Sequence, residues 1–335
     1  MEWRTENNTS ISDSGFSTAH ERLILSCFAP GASVLTAEPM QQKQSCPLRV
    51  TVRDAEMGDT RQVVLRLSGN AGGVEREAAI LPVLLAIGLP VPRLLATPVQ
   101  DEQGTWASVL EFLPGVTVQA FADASTMNVS TANRLLVEGI TRLFALTETP
   151  FGSVTGQLPR RTLHDEWRTL SEAETGWSNT GEIGEILARL EASCQKAASE
   201  TPLVFSSGDY QPGNFLTDGK TVIGYLDFEK AGFEDPLWTL ARYPVYDLEP
   251  FQSHGFTDGL LTQVEFTQQA FALRVALFGL RTLQTKTDPA TGRNAALAER
   301  LWRLIHRSSV EARGDVYYVA QNKSFSRTNT DSFPG

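Results

Sequence analysis

Residues 48–52 (LRVTV) alternate apolar and polar positions, and residues 63–67 (VVLRL) follow a polar turn holding Gly58 and Asp59. That is the pattern of a β-hairpin with one buried face. Residues 106–112 predict another strand, entered through a turn at 101–104. Between them, residues 74–88 read as a helix, followed by an extended LPVP at 89–92. Pro82 lies inside this helix, where it removes a hydrogen bond, so the pattern predicts a kink there or a start nearer to Pro82.

Beyond this point the apolar period changes from two to about 3.6. Leu135, Leu136, Ile140, Leu143 and Phe144 share one face of a helix predicted over 131–148. Ile183, Ile186, Leu187 and Leu190 do the same over 181–200, and further helices are predicted over 256–286 and 295–312. A short β-ribbon interrupts them, with strands at 214–216 and 221–226 around a turn at 217–220. The chain therefore reads as α+β and bilobal: a small antiparallel-sheet lobe over 21–113 and a larger, mostly helical lobe over 114–313. Residues 1–20 and 314–335 read as mobile tails.

Composition narrows the function. The 335 residues are 41% apolar and 20% charged, ordinary for a folded globular chain. A formal net charge of −10 argues against a nucleic-acid binder, whose affinity rests on cations meeting phosphates. The most apolar stretch, 78–91, is broken by Pro82, Gly88 and Pro90 and is too short for a membrane span. Cys27, Cys46 and Cys194 are odd in number and widely spaced, which fits free thiols and a cytoplasmic setting. Residues 68–73 (SGNAGG) lack the spacing of a dinucleotide loop and read as a connector. The acidic residues Asp165, Glu166, Glu172, Glu174, Glu182 and Glu185 read as a solvated helix face, and Trp238, Tyr243 and Tyr246 as core.

The chemistry concentrates at 205–229. Asp209 lies in a Gly- and Pro-containing loop, Asn214 follows five residues later, and Asp227 ends the partner strand of the same ribbon. A hairpin brings its outer ends together, so Asn214 and Asp227 are expected side by side with Asp209 nearby. One amide oxygen and two carboxylates form an oxygen-rich set suited to Mg²⁺, which relieves the repulsion between the acids.

Residues 207–214 (SGDYQPGN) resemble the HGDxxxxN catalytic loop of the aminoglycoside phosphotransferase family, which has a protein-kinase-like fold. Residues 227–229 (DFE) resemble that family's metal-binding element, and 231–236 with Leu240 and Ala241 resemble its continuation. Residues 63–67, Glu75 to Glu77, 89–92 and 109–115 are similar to its third strand, the paired helix, the "GLPVP" turn and the interlobe hinge.

The resemblance implies an ATP- or GTP-dependent kinase that phosphorylates a hydroxyl of a metabolite or aminoglycoside-like small molecule. Asp209 would orient the acceptor hydroxyl or accept its proton. Asn214, Asp227 and Glu229 would hold Mg²⁺. Arg66, paired with Glu77, would meet the nucleotide phosphates, and the hinge at Glu111 and Leu113 would meet the base. Asp247 and Glu249, just beyond the DFE element, are candidate acceptor contacts. Ser207 stands where the family has histidine, and Arg66 where lysine is commoner. The loop at 36–47 has no glycine to bring backbone N–H groups onto phosphate, leaving Lys43 and Ser45 as substitutes. The glycine-free loop and Ser207 favour the alternative, a kinase-fold protein that binds a ligand or partner without catalysis. A protein kinase is disfavoured, because no APE motif follows residues 227–229.

Overall fold

The computed structural model describes residues 16–40, 47–56, 58–101, 104–173, 177, 181–288 and 291–312. It opens with helix α1 (Thr18–Leu25), whose first three residues fall in the stretch expected to be tail. Ser17 caps it by accepting from the His20 amide, and Ile24 plugs into the core below.

Strands β1 (Ser33–Pro39), β2 (Leu48–Arg53) and β3 (Thr60–Ser68) follow, then helix α2 (Ala71–Ala86) and strands β4 (Leu94–Gln100) and β5 (Trp106–Glu111). They form a five-stranded antiparallel sheet in the order β1-β2-β3-β5-β4. The two-residue period decides what each face does. Leu48, Val50, Val52, Val63, Leu65, Ala107 and Val109 close one apolar layer with Ile24. Val64 and Arg66 project from the opposite face, toward the second lobe. Strand β4 carries Pro98 and no clear alternation. It pairs on one side only, which is where a strand tolerates proline.

Helix α2 starts earlier than the apolar pattern indicates, because Asn70 accepts from the Gly73 amide and nucleates it inside the supposed connector. It also runs through Pro82. That ring lies on the exposed face of the helix, away from the core.

The second lobe runs through β6 (Val116–Thr117), α3 (Val118–Asp123), α4 (Val129–Phe144), β7 (Arg160–Arg161), α5 (Leu163–Ser171) and α6 (Glu182–Glu200). Then come β8 (Val204–Ser206), β9 (Phe215–Thr217), β10 (Val222–Tyr225), β11 (Gly232–Glu234) and α7 (Arg242–Tyr246). Helices α8 (Phe256–Gln263), α9 (Gln268–Lys286) and α10 (Ala295–Glu311) complete it. The single helix expected over 256–286 is two. Glu265 takes a left-handed φ of 58° and Thr267 caps α9 through the Ala270 amide. Strands β10, β9 and β6 make one small sheet, and β7, β11 and β8 another. Ile80, Leu81 and Leu84 of α2 and Leu110 of β5 join the same apolar core as α4, α6 and α9. No described helix is long and apolar enough to cross a membrane.

Candidate active site

Two cavities lie along the loop that leads into the β9–β10 ribbon, one against Gly213, Asn214 and Leu216 and the other against Gly208, Asp209 and Gln211. The first, about 530 Å³, lies between the lobes. Val64, Leu110, Leu113, Leu216 and Leu226 give it apolar walls, and Arg66, Glu77, Glu111, Asn214 and Asp227 give it charge and polarity. The second, about 450 Å³, opens on Asp209, with Gly208, Gln211 and Lys230 at its edge.

Asn214 closes a short 3-10 turn, Pro212–Asn214, rather than entering a strand, because Pro212 presets the helical φ at its first position. Its backbone carbonyl accepts from the Leu226 amide at 2.8 Å, so Asn214 and Asp227 sit at the paired ends of the ribbon. Its side-chain amide donates to the Asp209 carbonyl at 3.0 Å, tying the two cavities together. Asp227 itself has φ 62°, a region that Asp enters more readily than most residues.

Arg66 is the electrostatic centre of the interlobe cavity. It donates to Glu77 at 3.0 Å and Asp227 at 2.7 Å, and lies 3.1 Å from Glu229. Burial works against its charge, but the three carboxylates outweigh burial and hold its protonation above the ordinary arginine range. Glu77 is 4% exposed, and burial pushes its carboxyl up even against Arg66 and the Phe228 amide, which donates to it at 2.9 Å. Arg76 of α2 donates to the Glu229 carbonyl at 2.5 Å.

One guanidinium among three carboxylates leaves an excess of negative charge that a divalent cation cancels. Among the described residues no cluster of three His, Cys, Asp or Glu forms a ready-made cage. The Asp227 and Glu229 carboxylates are hard oxygen donors of the kind from which Mg²⁺ takes one or two ligands, water and phosphate oxygens supplying the rest.

Asp209 is 3% exposed and fully engaged. One carboxylate oxygen accepts from Arg242 and from the Gln211 amide at 3.3 Å; the other accepts from the Gln211 side chain and Lys230, both at 3.2 Å. Ser207, in place of the expected histidine, accepts from the Asp209 amide at 3.3 Å, so its hydroxyl braces the loop. Ser206 adds a second brace, accepting from the Gly208 amide at 2.9 Å and donating to Glu234.

Asp209, Asn214, Asp227, Glu229, Arg66, Glu77, Glu111 and Leu113 are thus brought together. Lys43 and Ser45 lie outside the described residues. Asp247 and Glu249 line neither cavity. Asp247 ends the five-residue α7 in a left-handed turn, and both residues are exposed, the Glu249 carboxylate accepting from Ser253 instead. Of the aromatics read as core, Tyr243 and Trp238 are buried in it, and the half-buried Tyr246 lines the Asp209 cavity at Trp238's side. Asp165 serves α5 as half of a capping box with Thr162. Sequence reasoning missed Lys230 and Arg242. Lys230 adjoins the DFE element; Arg242 is 33 residues from Asp209 and carries no local signal.

A family model described as the phosphotransferase enzyme family (APH) matches residues 49–265, from the second residue of β2 to just past α8. The chain belongs to that family. It is therefore a phosphotransferase, and its kinase-like bilobal fold is shared with solved members. A thermostable mutant of aminoglycoside phosphotransferase APH(4)-Ia, in a ternary complex with ADP and hygromycin B, matches with TM-score 0.65 at 14% identity, over 89% of this chain and 100% of that one. The GDP and kanamycin complex of APH(2")-IIia matches with TM-score 0.57 at 16% identity, over 88% and 99%. At these identities the likeness carries the fold of the phosphotransferase alone. No curated protein matches its sequence.

Proposed function

We propose that this phosphotransferase moves the γ-phosphate of ATP or GTP to a hydroxyl of a small molecule. The observation that carries the proposal is the Asn214 bridge. The residue that faces the interlobe cavity also holds, through its amide, the backbone of the carboxylate that faces the second one. A donor in the first cavity and an acceptor in the second would meet across it.

The nucleotide base would lie between the apolar walls at Val64, Leu110 and Leu216, against the hinge. Leu113, at the hinge, lines the cavity where its backbone N–H and C=O would meet the base edge. Arg66, fixed by Glu77, would take phosphate oxygens. Asp227 and Asn214 would hold Mg²⁺, with Glu229 beside them. The ion, when bound, neutralises charge on the phosphate oxygens. The ADP and GDP bound in the structural neighbours support a nucleotide here.

Asp209 would orient the acceptor hydroxyl and take its proton. The acceptor oxygen forms a bond to the γ-phosphorus as the bond to the bridging oxygen breaks. The products are the nucleoside diphosphate, the phosphorylated acceptor and a proton passed on to solvent. Such a transition state asks little covalent chemistry of the protein, so positioning and cationic charge supply most of the acceleration. Lys230, with its side chain largely exposed, is the Asp209 partner best able to swing away as the hydroxyl arrives.

Release of ADP from Mg-ATP, followed across a panel of hydroxylated acceptors, tests this reading. Asp209→Asn should lower turnover roughly 10²- to 10⁴-fold while nucleotide affinity holds. Unchanged turnover removes Asp209 from the mechanism. Nucleotide binding without turnover on any acceptor leaves a ligand-binding kinase-fold protein instead.

A further inference from the structure

The Asp209 cavity has an unexpected charge. Its lining includes five cations, Arg161, Lys230, Arg242, Arg281 and Lys286, against two carboxylates, Asp209 and Glu234. Both carboxylates are already consumed. Asp209 is bound by Arg242 and Lys230, while Glu234, 1% exposed, holds the hydroxyls of Ser206 and Thr239 and lies 3.3 Å from Arg161.

The remaining cations sit on one helix. Phe278, Arg281, Thr282 and Thr285 follow at i, i+3, i+4 and i+7 along α9, which points them all into the cavity, with Lys286 beside them. Arg281 lies over the Trp238 ring and 3.6 Å from Glu166, outside the lining. Among the described residues Lys286 has no carboxylate partner.

We infer that the acceptor is a hydroxylated small molecule carrying its own anionic group, a carboxylate or a phosphate, which Arg281 and Lys286 bind while Asp209 takes the hydroxyl. A polycationic acceptor would meet like charge from Arg281, Lys286 and Lys230 at the mouth of this cavity. The partly exposed rings of Tyr246 and Phe278 suit the flat apolar face of a sugar-like ring. The inference rests on the kinase reading above, and transfer follows the balance given there.

Isothermal titration tests it with three probes: gluconate, ribose 5-phosphate and kanamycin, each with and without Mg²⁺ and AMP-PNP. At least one anion should bind about tenfold or more tightly than kanamycin, and Lys286→Glu, an exposed change, should weaken that anion about tenfold. The carboxylate and phosphate arms identify which group is read. Arg281→Gln, checked for folding by circular dichroism, should weaken the same anion. The inference is overturned if kanamycin binds as tightly as the anions, if neither anion binds up to about 10 mM, or if anion binding ignores Lys286→Glu. Failure of AMP-PNP to bind, with the anion preference intact, would count against the kinase reading alone.

Discussion

Gly208 sits at φ 74°, and a Cβ placed on it would come within 2.4 Å of the Lys230 carbonyl oxygen. Only glycine lets the Asp209 loop cross that close to the chain leaving the DFE element. Gly208→Ala should cost roughly 1–3 kcal/mol in urea unfolding and depress turnover more than nucleotide affinity, because it displaces Asp209 and not the interlobe walls. Cys194 offers a different residue-scale check. It is completely buried, and burial pushes its thiol up to about 12, so iodoacetamide at mildly alkaline pH should leave it unmodified until the protein unfolds. Mass spectrometry of the native protein reads the outcome directly, and early labelling of Cys194 would contradict the packing of α6. At this scale much of the site was legible. The spacing from Asp209 to Asn214 to Asp227 needs only a hairpin to become geometry, and the face that Arg66 takes follows from strand alternation. Arg242, Arg161 and Arg281 were not legible, because tertiary packing alone delivers them to the Asp209 cavity from three separate segments.

Helix α2 carries Glu77 into the interlobe cavity, and its first turn is held by Asn70. Asn70→Ala should cost about 1 kcal/mol of stability and weaken nucleotide binding, since the Arg66–Glu77 pair depends on where that helix begins. Thermal unfolding and nucleotide titration of the variant check both halves. The elements that the apolar pattern misjudged share a cause: each was set by a local polar contact or an edge position. Asn70 starts α2 early, Thr267 and Glu265 cut one long helix into α8 and α9, and β4 hides because an edge strand with Pro98 has little alternation to display. Elements whose faces are buried by long apolar stripes, such as α4 and α6, were read within a few residues.

Across the whole molecule, the two lobes share one apolar core through α2 and β5, so the interlobe cavity has a fixed floor. Beneath the second cavity lies a buried ion pair. Arg274 of α9 donates to both oxygens of Asp235, at 3.1 and 2.6 Å, and both residues are nearly inaccessible. Arg274→Met should destabilise the protein by about 3–5 kcal/mol, because Asp235 would be left charged without its partner; the Arg274→Met, Asp235→Leu pair should recover much of the loss. Denaturant unfolding of the single and paired variants separates that penalty from simple loss of packing.

Calorimetric titration of Mg-ATP into the wild-type protein and Asp227→Ala reaches the central claim, that the ends of the β9–β10 ribbon grip a metal–nucleotide complex. The account expects binding that requires magnesium in the wild type and falls about tenfold or more in the variant. Binding indifferent to magnesium, or equally tight without the Asp227 carboxylate, would contradict it.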